Sequence, residues 1–102
     1  MGYELVDEHG KELHINAGTS QLLSRLTAGW GNLLGIPNLI NKQDCRMLAR
    51  VLRNYASLQR RMGENDLKVI RWDKECEESL EWIEEEAVPF FEICLWCKRN
   101  DG

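Results

Sequence analysis

The chain has 102 residues, 43% of them hydrophobic and 29% charged, with a formal net charge of −4. That length fits one domain over residues 1–102 with one core, and the acidic balance weighs against direct nucleic-acid binding, because the chain and the phosphates repel each other. No apolar run approaches the ~20 residues of a membrane span, and MGYELVDEHG lacks the basic start and apolar centre of a signal peptide, so a cytoplasmic protein without membrane attachment is expected.

Residues 3–7 (YELVD) and 11–16 (KELHIN) alternate, with Tyr3, Leu5, Leu13 and Ile15 as the apolar set. Gly10 lies between them where a left-handed turn residue is wanted, so these segments predict a β-hairpin with His9 at its tip and His14 on its polar face. GTSQLLSRLTAGW offers Thr19 or Ser20 as the cap of a short helix with Leu22, Leu23, Leu26 and Trp30 as its stripe, ended by Gly29 and Gly31. GNLLGIPNLIN reads as a loop, and Asn41 followed by Asp44 as the cap of a second helix.

In that second helix Cys45, Leu48, Val51, Leu52, Tyr55, Leu58 and Met62 recur at three- and four-residue spacing until Gly63. LKVIRW, residues 67–72, is β-branched and alternating enough for a third strand, with the lead-in to the following helix as the alternative. From Asp73 the pattern is helical again, with Cys76, Leu80, Ile83, Ala87, Phe90 or Phe91, and Cys94 on one arc. Pro89 is expected to kink this helix or open a new segment, and FFEICLWC after it also suits a strand. The expected fold is α+β, an N-terminal β-hairpin joined by a strand at 67–72 and packed against three helices.

Charge is segregated along the chain. Residues 42–62 carry Lys42, Arg46, Arg50, Arg53, Arg60 and Arg61 against Asp44 alone, whereas residues 73–92 carry nine acids against Lys74 alone. Mutual neutralisation of neighbouring helices is the plainest consequence. Beyond it, Arg46, Arg50 and Arg53 line one side of the second helix and suit an anionic ligand such as a nucleotide, since each guanidinium presents a planar fork of donors. Glu78, Glu81, Glu85 and Glu92 fall opposite the core arc, where solvated residues belong. Trp82, Ile93 and Trp96 fall together beside Glu78 and Glu85 if the last helix is continuous. An aromatic patch ringed by acids suits a protein interface, because tryptophan dominates binding hot spots.

Several chemistries lack their residues. The four cysteines, Cys45, Cys76, Cys94 and Cys97, read as reduced thiols in a chain with no secretion signal. Cys94 and Cys97 form a CxxC, but it closes the chain instead of opening a helix after a strand, as a redox motif does. As a zinc half-site it lacks a second pair, since Cys45 and Cys76 are isolated on separate core stripes; buried structural cysteines, with no metal and no cofactor, are expected. No phosphate-binding or hydrolase motif is present, and only His9 and His14 are available as imidazole bases, so no catalytic residue and no enzymatic activity are expected.

Glu77, Glu78 and Glu81 resemble the first half, EExxE, of the motif of all-α nucleotide pyrophosphatases, but the ExxD that completes it does not follow. LLGIPNLINKQDCRMLARVL resembles a helix-turn-helix, against which the acidic last helix weighs. The functional expectation is a small acidic binding or inhibitory protein, of the size and charge of a phage-type counter-defence protein or an immunity-type inhibitor. Its expected contact face is Glu78, Glu81, Trp82, Glu85, Glu86, Ile93 and Trp96, directed at a protein partner such as a basic nucleic-acid-binding protein, or at a second copy in a homodimer. The alternative is an anionic-ligand binder using Arg46, Arg50 and Arg53.

Overall fold

The computed structural model of the protein describes residues 2–26, 39–65 and 74–100. In chain order these form β1 (Tyr3–Asp7), β2 (Glu12–Ile15), α1 (Ala17–Leu26), β3 (Ile40–Asn41), α2 (Lys42–Asn65), α3 (Lys74–Trp82), a π-helical turn (Ile83–Ala87), α4 (Val88–Ile93) and β4 (Trp96–Asn100). The fold is α+β, and the described residues form an antiparallel four-stranded sheet and three helical segments, the last running from α3 through the π turn into α4. The chain divides into two compact units, Met1–Cys45 with Cys94–Gly102, and Arg46–Ile93.

The first unit contains the whole sheet, in the order β2-β1-β4-β3. The predicted hairpin is present, with Tyr3 opposite Ile15 and Leu5 opposite Leu13, so the alternating apolar residues meet on one buried face. Its turn is organised by Asp7, which is buried. One carboxylate oxygen accepts the N–H groups of His9 (2.9 Å) and Lys11 (2.8 Å), and the Asp7 carbonyl accepts the N–H of Gly10 (3.1 Å). Gly10 takes φ +80°, a conformation that costs glycine little and other residues more. Gly2 is held for a different reason, since a Cβ there lies only 2.3 Å from the Ile15 carbonyl oxygen.

The segment predicted as a third strand, residues 67–72, lies outside the described residues. The sheet is completed instead from two other places. β4 pairs with β1 on one side and β3 on the other, setting Cys97 opposite both Asp7 and Ile40. Hydrophobic alternation could not signal β3, which is only two residues long. A second tie joins the hairpin turn to the bend before β4: the Glu8 carboxylate accepts the backbone N–H groups of Leu95 (3.0 and 3.2 Å) and Trp96 (3.4 Å). Arg99 of β4 places its guanidinium carbon 4.4 Å from the centre of the Tyr3 ring, within cation–π range.

The helix caps follow local chemistry. α1 begins earlier than predicted because Asn16, not Thr19 or Ser20, is its cap: the Asn16 side-chain oxygen accepts the Thr19 N–H at 2.7 Å. The predicted end of this helix, at Gly29 and Gly31, lies outside the described residues. α2 is capped as predicted, with the Asp44 N–H donating to the Asn41 side chain at 3.0 Å. It continues to Asn65 instead of stopping at Gly63, since one glycine near a helix end costs only about 1 kcal/mol.

Within the second unit α2 buries Leu48, Ala49, Leu52 and Ala56. The predicted stripe is thus rotated toward its alanines, and Leu58 and Met62 are exposed while Val51 and Tyr55 are half-buried. In the last helical segment Leu80, Ile83, Ala87, Phe90 and Phe91 are buried as predicted, joined by Val88. The two phenylalanine rings meet edge to face, with centroids 5.3 Å apart. Pro89 explains the π turn before it. The Val88 N–H reaches back to the Ile83 carbonyl, and Pro89, which has no N–H to donate, follows at once, so the ladder is shifted where it would otherwise need that donor.

Burial works to raise the Glu8 carboxyl's pKa, but the hydrogen bonds from its own N–H and those of Leu95 and Trp96 together hold it below its ordinary 4.5. A lowered folded-state value contributes stability that is fully present above 4.5 and lost as pH falls through the folded value. In urea titrations at successive pH values, Glu8→Gln should therefore narrow its stability gap to the parent protein only on acidification below about 4.5. A gap of constant size across that window contradicts this role for Glu8.

Candidate functional site

The second unit divides its charges into a paired set and an exposed set. Arg46, Arg53 and Arg60 recur at seven-residue spacing, which stacks them along one side of α2. Each finds an acceptor on the last helical segment. Arg46 donates from Nη1 to the Phe91 carbonyl oxygen at 2.6 Å, satisfying one of the carbonyls that the end of α4 leaves without an intrahelical partner. Arg53 pairs with Glu92. Arg60 donates from Nε to Glu84 at 2.6 Å and from Nη1 to Glu77 at 3.1 Å. These two carboxylates, Glu84 foremost, raise the Arg60 guanidinium above its ordinary value, so it stays charged at every accessible pH.

Between these pairs runs an open groove of about 430 Å³, lined by Arg53, Ser57, Arg60, Glu84, Val88 and Glu92 among others. Arg53 and Arg60 stand beside their own counter-ions there, while Arg61, which also lines the groove, has no acid partner among the described residues. Of the three arginines expected to hold an anionic ligand, Arg46 and Arg53 are thus engaged within the unit, while Arg50 is exposed and has no partner among the described residues.

The acids divide in the same way. Glu77, Glu84 and Glu92 meet arginines, whereas Glu78, Glu81, Glu85 and Glu86 are exposed. Among the described residues, Glu81, Glu85 and Glu86 have neither a cation nor a hydrogen-bond donor. Trp82 lies among them in sequence and is half-buried, and Ile93, the last residue of α4, is 63% exposed. Trp96 is not part of this helical segment, contrary to what the continuous-helix pattern suggested. The helix stops at Ile93, and Trp96 opens β4 in the first unit, where it is half-buried. The periodicity of FFEICLWC is compatible with either state, and pairing with β1 and β3 selects the strand.

The first unit holds a second candidate. Cys45 comes from the first turn of α2, Cys94 from just beyond α4 and Cys97 from β4, and their Sγ atoms all lie within 4.8 Å of one another. All three side chains are buried, at 1% exposure or less. The Cys45 thiol also lies 3.9 Å from the Ile40 carbonyl oxygen. Hydrogen bonds with Cys45 and then Cys94, followed by burial, push the Cys97 thiol far above its ordinary value, so the unliganded group is neutral. The expectation that Cys45 is isolated thus gives way to a three-sulfur cluster; its partners are about fifty residues away in sequence, joined to it through β3, a strand too short to leave a sequence signal. The side chain of Cys76 is outside the described set.

No protein-family model, curated protein or solved structure matches the chain.

The arginine pairs are largely exposed, so their worth is modest. Arg53→Gln and Glu92→Gln, combined in a double-mutant cycle read by urea denaturation, should give a coupling below about 1 kcal/mol that shrinks as salt is raised. A coupling of several kcal/mol, insensitive to salt, contradicts the exposed-pair reading.

Proposed function

We propose that the protein is a small, non-catalytic binding protein that acts by occupying a basic surface on a protein partner. Its contact face is Glu78, Glu81, Trp82, Glu85 and Glu86, with Ile93 at the end of the same helical segment. The observation that supports this most is the run of Glu81, Glu85 and Glu86 along one helical segment, exposed and without a cation among the described residues, while Glu92, Glu84 and Glu77 meet Arg53 and Arg60. Charges left unpaired on a surface set orientation and speed encounter with an opposite charge, and an adjacent tryptophan supplies the apolar contact that holds the complex.

A groove that normally receives nucleic acid is a basic surface of the required kind. In this reading the protein is an inhibitor that competes for such a groove in the cytoplasm, as a counter-defence or immunity-type protein does. The anionic-ligand alternative finds less support, because among the described residues two of its three arginines, Arg46 and Arg53, already meet internal acceptors.

Affinity capture from lysate of the native host, with the parent protein and the Glu81→Lys, Glu85→Lys double variant compared at low and high salt, tests the reading. The parent should retain a basic protein at low salt and release it at high salt, and the double variant should lose it at both, while Arg50→Glu retains it. Equal capture by parent and double variant, or loss confined to Arg50→Glu, counts against the acidic face. Circular dichroism of each variant establishes that loss of capture is not loss of fold.

A further inference from the structure

The three-thiol cluster of the first unit is more than apolar packing. Three cysteines from separate chain segments direct their sulfurs to one point, all within 4.8 Å of one another and buried. In a tetrahedral thiolate site with metal–sulfur bonds of about 2.3 Å, neighbouring sulfurs lie about 3.8 Å apart. The cluster is therefore within about 1 Å of that spacing, an adjustment that small side-chain rotations supply. Among the described residues no carboxylate or imidazole joins the group, and a donor set made of sulfur selects soft ions over hard ones.

Charge balance narrows the choice. Three thiolates around a divalent ion leave one net negative charge in a buried place, whereas a monovalent ion leaves two. Cys45 stands in the first turn of a 24-residue helix, where the free N–H groups and the helix dipole favour negative charge. We propose that Cys45, Cys94 and Cys97 form a buried site for a thiophilic divalent ion of the zinc group, bound as three thiolates with release of their three protons. The cluster supplies three of the four donors such an ion takes.

Within the first unit the site ties together the first turn of α2, the residue that precedes the bend before β4, and β4 itself, so bound metal stabilises that unit by mass action. It is independent of the acidic face, and the two readings stand or fall separately.

The test is titration of the fully reduced full-length protein, refolded without oxygen, with Cd²⁺ and with Zn²⁺. One equivalent of Cd²⁺ should produce sulfur-to-metal charge-transfer absorption and raise the unfolding temperature. Cys45→Ser, Cys94→Ser and Cys97→Ser should each weaken binding at least tenfold. Because such variants can fail to fold, X-ray absorption of the metal-loaded parent gives a reading that needs no substitution, and at least three sulfur neighbours are expected. Fewer than three sulfurs, absence of the charge-transfer band, or binding that survives in a folded variant of any of the three cysteines overturns the site.

Discussion

The pairing of the arginine side of α2 with part of the anionic helical segment decides what the rest of the second unit can do. Side chains at seven-residue spacing on a long helix form a straight row, and the row meets Glu92 at Arg53, with Glu84 and Glu77 at Arg60. The energy of such exposed pairs is small. Their larger consequence is selective: they engage Arg53 and Arg60 and leave Glu81, Glu85 and Glu86 as charge without an internal partner among the described residues. The same row supplies Arg46 to the Phe91 carbonyl, so a side chain that looked like an anion ligand instead finishes a helix end.

The first unit depends on a different constraint. β4 lies between β1 and β3, and without it the N-terminal hairpin and β3 have no common partner. Cys97 is the residue of that strand that faces both neighbours, opposite Asp7 and Ile40. Pairing β4 in this register brings Cys97 and the nearby Cys94 to Cys45. The Glu8 carboxylate fixes the approach to the strand through the N–H groups of Leu95 and Trp96. Sheet closure and thiol convergence are therefore one structural event, and an ion bound by the three sulfurs acts on the strand that completes the sheet.

Local chemistry was legible in the sequence. The hairpin followed from alternation around Gly10, the α2 cap from Asn41 and Asp44, and most of the buried arc of the last helical segment from its periodicity. What was not legible came from groups distant in the chain. Cys45 gave no sign of meeting Cys94 and Cys97 because the connection runs through a two-residue strand. Trp96 was grouped with Trp82 because helical spacing continues past Ile93 on paper, whereas backbone pairing with β1 and β3 ends the helix there. The buried arc of α2 turned toward Ala49 and Ala56, small residues that allow close packing but carry little weight in a reading of large apolar side chains. The candidate face was partly readable, since segregated charge was evident; which members of each charge set pair internally was not.

The most direct measurement of the central claim is carboxylate labelling of the native protein with a water-soluble carbodiimide, quantified residue by residue by mass spectrometry with and without a captured basic partner. The account predicts two classes in the free protein, with Glu81, Glu85 and Glu86 labelled fast and Glu77, Glu84 and Glu92 slowly, and it predicts that the partner protects the fast class. Uniform labelling of all six, or protection by the partner that falls on other residues, contradicts it.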